Sequence, residues 1–121
     1  MAEETIYDVH GRATAYVAND GETIYLWNGR AVAYLHSGEK VYGWNGRHLG
    51  SYTDGVFYDG SGRRVGFLRY RSPVTTSVSP VKSVKSVKSV KSVRNVANVR
   101  PVRSTSISAI PLGDFLTGTS R

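Results

Sequence analysis

Four arginines each follow a glycine at near-regular intervals: Gly11-Arg12, Gly29-Arg30, Gly46-Arg47 and Gly62-Arg63, with the glycines 18, 17 and 16 residues apart. A guanidinium is a planar fork of donors suited to phosphate or carboxylate, and it also lies well over an aromatic face. Trp27 and Trp44 stand three residues before Arg30 and Arg47, so two of these arginines have an indole close by in the chain. One reading is a ring of four guanidiniums presented to an anionic partner. The other is structural cover, with each arginine solubilising a hairpin-tip aromatic. A second cationic series, Lys82, Lys85, Lys88, Lys91 and Arg94, occupies every third position further on. Such a run neutralises phosphates without reading a base sequence.

Other chemistry is thinly represented. His10, His36 and His48 are the only histidines, none at the spacing that places two ligands on one helix face, and there is no cysteine. No metal site, cofactor site or catalytic group is therefore assigned. No glycine-rich phosphate loop opening a helix, nucleophile elbow or dinucleotide fingerprint is present either. Asp8 and Asp59 sit beside equivalent turns and read as turn caps. The chain is expected to be non-enzymatic.

The elements that carry the arginines are repeats. Ile6-Tyr7-Asp8-Val9-His10-Gly11-Arg12, Ile24-Tyr25-Leu26-Trp27-Asn28-Gly29-Arg30, Val41-Tyr42-Gly43-Trp44-Asn45-Gly46-Arg47 and Val56-Phe57-Tyr58-Asp59-Gly60-Ser61-Gly62-Arg63 are four copies of one unit. Asn-Gly between β-rich runs is a strong two-residue hairpin signal, because both central positions of a type I′ turn need positive φ. The fourth copy is one residue longer in this alignment and is expected to carry a bulge. Asp20-Gly21, Ser37-Gly38 and Asp54-Gly55 supply the return turns. The pattern predicts eight antiparallel strands near 5–9, 12–17, 23–27, 30–35, 40–44, 47–52, 56–59 and 63–69.

A two-residue turn places Trp27 opposite Arg30, Leu26 opposite Ala31, Tyr25 opposite Val32 and Ile24 opposite Ala33. Across the repeats, the β-branched residue at each hairpin base then faces Ala15, Ala33, Gly50 or Gly66. A large residue opposite a very small one is what several hairpins crowding around an axis require. On the other face Tyr7/Thr14, Tyr25/Val32, Tyr42/Leu49 and Phe57/Val65 form an apolar layer. The fold class is all-β: four short hairpins around a pseudo-four-fold axis, closed so that few strand edges are exposed.

The four units with their Ile/Val-Tyr-x-Trp-Asn-Gly-Arg core, followed by a Lys/Arg-Pro-Val-rich tail, resemble the small bacterial four-fold beta-flower family over about residues 5–70. The resemblance implies hairpins radiating about the axis and brings no characterised activity. Residues 6–12 are also similar to one tyrosine-aspartate repeat of the Rhs type, found in toxin-encapsulating shells.

The chain divides into an N-terminal extension (1–4), the four-hairpin domain (5–71), a basic segment (72–104) and a C-terminal segment (105–121) holding Phe115 and Leu116 as a possible small apolar anchor. Residues 1–71 hold eight Lys/Arg and eight Asp/Glu, so the formal charge of +7 belongs wholly to the tail. From Val78 to Val102 a valine recurs at every third position with Lys or Arg and Ser in phase. Three residues per turn is the polyproline II period and matches neither strand nor α-helix. Two readings compete: a solvated, disordered low-complexity extension, or a valine stripe laid along an apolar groove.

The leading expectation is a structural or protein-interaction module, with protein partners or self-association. The alternatives are a weak, sequence-independent binder of nucleic acid or another polyanion through the tail, and a component related to toxin-associated repeat proteins. No apolar run approaches the length of a membrane span. The lack of an apolar leader favours a cytoplasmic location.

Overall fold

Each repeat folds as an antiparallel hairpin, and successive hairpins pair edge to edge until the last strand meets the first. The computed structural model describes residues 3–76, 82, 85, 91, 93, 94, 96 and 103–118. Its strands are β1 (Glu4–Tyr7), β2 (Ala13–Val17), β3 (Thr23–Leu26), β4 (Ala31–His36), β5 (Lys40–Gly43), β6 (His48–Thr53), β7 (Val56–Tyr58) and β8 (Arg64–Phe67). They follow chain order around a closed barrel, sealed by the pairing of Tyr7 with Phe67. Closure pairs the last strand with the first, and the edge of β8 at Arg64 is taken by the segment around Ile107. A short 3-10 helix, Arg69–Arg71, and one α-helix, α1 (Leu112–Thr117), complete the described elements.

The hairpin tips differ from the two-residue turns expected. Leu26 N–H donates to Arg30 O and Gly29 N–H donates to Leu26 O, both at 2.9 Å, enclosing a three-residue loop Trp27-Asn28-Gly29. Only Gly29 has positive φ, 91°. The same pair of bonds closes Asp8/Arg12, Gly43/Arg47 and Asp59/Arg63. All four tips therefore have equal length, and the fourth unit begins at Phe57, not Val56. Positive φ at two adjacent residues occurs instead in the return turns Ser37-Gly38 and Asp54-Gly55. Asn-Gly serves either geometry. At the tips the asparagine accepts a backbone hydrogen bond from the following arginine: Arg30 N–H to Asn28 Oδ1 and Arg47 N–H to Asn45 Oδ1, each 3.0 Å. Asp8 and Asp59 do the same work from one position before their loops, each accepting two backbone N–H bonds on Oδ1.

A bulge follows in every hairpin. Ile24 pairs with Ala33, but Tyr25 pairs with Ala31, leaving Val32 as the extra residue. Ile6/Tyr7, Val41/Tyr42 and Phe57/Tyr58 show the same break, with partners Ala15/Ala13, Gly50/His48 and Gly66/Arg64. The expected facing of Tyr25 with Val32, and its counterparts, is thus displaced by one residue. The displacement lets Val32 and Val65 join the interior with Ile6, Ile24, Val41 and Phe57. Tyr16 and Tyr25 belong to a separate cluster.

Small residues opposite the axial residues make room for more than the axis. A Cβ at Gly50 would lie 2.9 Å from Phe115 Cζ and against the Tyr58 carbonyl; one at Gly66 would lie 2.8 Å from Leu112 Cδ1 and 3.2 Å from Ile6 Cγ2. Both α1 contacts arise because Leu112, Phe115 and Leu116, at i, i+3 and i+4, bury one helix face in the barrel core. The approach to α1 is held on β8: Arg64 N–H donates to Ser106 O at 2.9 Å and Ser108 N–H to Arg64 O at 2.7 Å. Ser108 Oγ also donates to the buried Asp59 Oδ2 at 2.5 Å.

Candidate functional site: aromatic junctions under the basic tail

Where one hairpin meets the next, strand alternation turns outward the tyrosines that follow the inner residues Ala15, Ile24, Ala33 and Val41. At the β2–β3 junction Tyr16 and Tyr25 stack with centroids 5.5 Å apart and planes 12° apart, and Trp27 meets Tyr16 edge-on at 5.8 Å. The β4–β5 junction repeats this: Tyr34 and Tyr42 stack at 5.8 Å, and Trp44 meets Tyr34 edge-on at 6.0 Å. Each indole is held by its own backbone, Trp27 N–H donating to Thr14 O at 3.2 Å and Trp44 N–H to Val32 O at 3.0 Å. The acceptor in both cases is the bulge residue of the preceding hairpin. Each junction is thus a corner of two aromatic walls.

Tail cations occupy both corners. Lys82 Nζ lies 4.3 Å from the Tyr16 centroid and 5.4 Å from Trp27. Lys91 Nζ lies 4.2 Å from Tyr34 and 5.5 Å from Trp44. One triplet later, Lys85 stands 5.5 Å from Tyr25 and Arg94 stands 5.6 Å from Tyr42. Nine residues beyond Arg94, Arg103 lies 5.0 Å over Tyr58, the counterpart of Tyr25 and Tyr42. Arg103 Nε and Nη2 are enclosed there with no hydrogen-bond partner among the described residues. The backbone keeps the same interval: a Cβ at Gly11 would meet the Thr75 carbonyl and one at Gly46 the Val93 carbonyl, 18 residues on. Nine tail residues therefore correspond to one hairpin unit.

The two corners differ in their charge environment. Glu3 accepts from Lys82 Nζ on Oε1 and from Lys85 Nζ on Oε2, both at 2.5 Å. Those bonds, Lys82 first, hold the Glu3 carboxyl below the usual carboxylate range, and the bond to Glu3 raises Lys85. Burial pushes the Tyr16 phenol up. At the other corner His36 and His48 flank Tyr42 at 5.9 and 5.2 Å, and burial lowers His48.

Of the residues expected to interact, Arg12, Arg30, Arg47 and Arg63 are exposed, one at the end of each tip. The expected Trp27–Arg30 and Trp44–Arg47 facing is corrected by the three-residue loop, which pairs the arginines with Leu26 and Gly43 and sends the indoles to the junctions. Lys82, Lys85, Lys91 and Arg94 are brought onto the domain, while Lys88 lies outside the described residues. Among the described residues of the period-three segment, Lys82, Lys85, Lys91 and Arg94 meet the aromatic rings, whereas Val93 and Val96 are each 91% exposed; the other valines of the stripe lie outside the described residues. Sequence reasoning missed Glu3 and the tyrosine platforms, and it counted Arg103 only among the cations available to a polyanion. A signal was present, since Lys82/Lys91/Arg100 and Lys85/Arg94/Arg103 stay cationic every nine residues, whereas Lys88 gives way to Ala97 and Ser106.

No cluster of three potential metal-ligating residues occurs among the described residues, and no described helix is long and apolar enough to cross a membrane. An open cavity of about 510 Å³ beside the first hairpin is lined by Asp8, His10, Arg12, Thr14 and Ser108 among others, but Asp8 Oδ1 is committed to its own turn. No curated protein and no solved structure matches the chain. A family model described as the 4-fold beta flower protein matches residues 4–116, a span that takes in the four hairpins, the basic tail and α1. The tail and helix thus fall within the same family unit as the barrel, and the chain belongs to the 4-fold beta flower family.

Proposed function

We propose that this protein is a non-enzymatic interaction module whose aromatic junctions hold the cations of a basic segment, as they hold Lys82, Lys85, Lys91 and Arg94 of its own tail. The observation that carries the reading is the nine-residue match: Lys82 on Tyr16 and Trp27 at 4.3 and 5.4 Å, Lys91 on Tyr34 and Trp44 at 4.2 and 5.5 Å. Low-complexity drift has no reason to place equivalent cations at equivalent corners. Each contact contributes about 0.5–2 kcal/mol depending on desolvation, so several in register hold a segment that is readily exchanged. A partner offering Lys or Arg at i, i+3 and i+9 in extended backbone meets the same surface.

The test uses the full chain. In Lys82→Gln/Lys91→Gln both indole N–H resonances are expected to move, and a labelled peptide of residues 80–96 is expected to bind the variant better than the parent. Indole resonances unchanged by the double substitution would sink the reading.

A second reading, polyanion binding by the tail, is favoured by the partial exposure of the bound cations, 32% and 39% for the Lys82 and Lys85 side chains. It requires DNA, RNA and heparin to compete similarly. On duplex DNA, about five engaged phosphates give a slope of log K against log salt of about −4 to −5. A salt-insensitive or sequence-specific interaction would reject it.

A further inference from the structure

We propose that the β4–β5 corner formed by Tyr34, Tyr42 and Trp44 is a binding site for quaternary ammonium groups. The proposal rests on the reading that junctions hold cations, and deepens it by naming the chemistry one corner accepts. The two corners have the same walls but give their lysines different partners. Lys82 and Lys85 spend N–H donors on Glu3 at 2.5 Å. Lys91 Nζ faces Tyr34 at 4.2 Å and Trp44 at 5.5 Å, and among the described residues it has neither an ion pair nor a hydrogen bond.

That difference decides what methylation does. Replacing N–H by N–CH3 keeps the positive charge, removes donors and makes the cation larger and cheaper to dehydrate. Where a carboxylate is engaged, methylation loses charge-assisted hydrogen bonds worth more than neutral ones. Where only π faces are engaged, nothing is lost and methyl–ring contact is added; aromatic corners recognise quaternary ammonium on this basis. The walls are also firm, Tyr34 and Tyr42 being only 4% and 2% exposed. The shared ligand chemistry is a trimethylated nitrogen, which comes either from a lysine side chain at position 91 or from a small quaternary ammonium molecule that displaces it.

The chain contains no cysteine, so K91C offers one alkylation site on the full-length protein. It is alkylated in parallel with a trimethylammonium analogue of lysine and with the neutral carbon isostere of the same shape. The trimethylammonium form is expected to keep the Trp44 indole resonance ring-shifted and to melt higher than the neutral form. The same group on K82C is expected to disturb Trp27 and lower the melting point, because Glu3 loses its donors. Separately, K91Q is titrated with tetramethylammonium chloride against sodium chloride at matched ionic strength. A saturable shift confined to Trp44 extends the ligand class to free ions, whereas its absence beside a positive tethered result confines it to lysine side chains. Equal behaviour of the charged and neutral forms of K91C overturns this proposal alone. If K91Q leaves the Trp44 resonance where it is in the parent, the junction reading falls with it.

Discussion

The inner and outer faces of the barrel are built from the same four copies, yet only the inner face is uniform. Inside, Ile6, Ile24, Val41 and Phe57 each oppose an Ala or Gly and are fully buried. Outside, two junctions carry Tyr-Tyr-Trp, while the third pairs Ser51 with Tyr58 and the fourth pairs Phe67 with Tyr7. The tail follows that inequality in part: two cations meet each Tyr-Tyr-Trp junction, Arg103 alone lies over Tyr58 at the third, and Phe67 at the fourth is covered by Arg64 from its own strand, at 5.6 Å. Ring closure demands that every inner position fill the same space. It makes no such demand outside, so the outer face is where the copies have room to differ and where a binding role can reside.

The largest break in this comparison should come from the inside. Phe115→Ala removes a buried ring from the core that α1 plugs, and about 3–5 kcal/mol of stability should be lost in chemical denaturation. A loss below 1 kcal/mol would mean that α1 is not part of the core. Next, Gly50→Leu and Ala33→Leu overpack the inner face, each at a cost of about 1–3 kcal/mol. Tyr16→Leu, on the outer face, should cost less, about 0.5–1.5 kcal/mol for the lost aromatic contact. Denaturation midpoints in the reverse order would erase the distinction between the faces. Trp44→Ala should shift the midpoint less than Phe115→Ala while displacing Lys91 from its corner, read from the Tyr34 ring resonances.

The smallest effect separates the two corners by pH. Glu3 is held below its ordinary value of 4.5 in the folded protein. Its contribution is therefore complete above about that pH and is lost as pH falls through the lower folded value. The Trp27 resonance should report this loss, and Glu3→Gln should abolish the response. His48 is lowered from 6.5 by burial, so protonation disfavours the folded arrangement as pH falls below that value, and the Trp44 corner should carry this response. Identical titration curves for the two indoles would contradict the separate environments described.

Much of the barrel was legible from local chemistry. Gly11, Gly29, Gly46 and Gly62 mark the tips because each needs positive φ, and Ile24 does face Ala33. The turn type was not legible, because Asn-Gly fits a two-residue I′ turn as well as a three-residue loop with its glycine left-handed. That one-residue difference decides which side chains share a face, and so whether Val32 lies under Tyr25 or inside the core. The sequence also displayed the cations and the aromatics without matching them. Strand alternation and turn chemistry act over a few residues, and by themselves they determined four hairpins, small residues opposite the axial ones, and a tail that holds the excess charge. The pairing of Tyr16 with Lys82, 66 residues away in the chain, depends on barrel closure presenting successive junctions at equal intervals to a segment of matching repeat. Only the tertiary structure decided that, and with it the docking of α1 against Gly50 and Gly66, because contacts between distant segments are set by where the closed ring puts its surfaces.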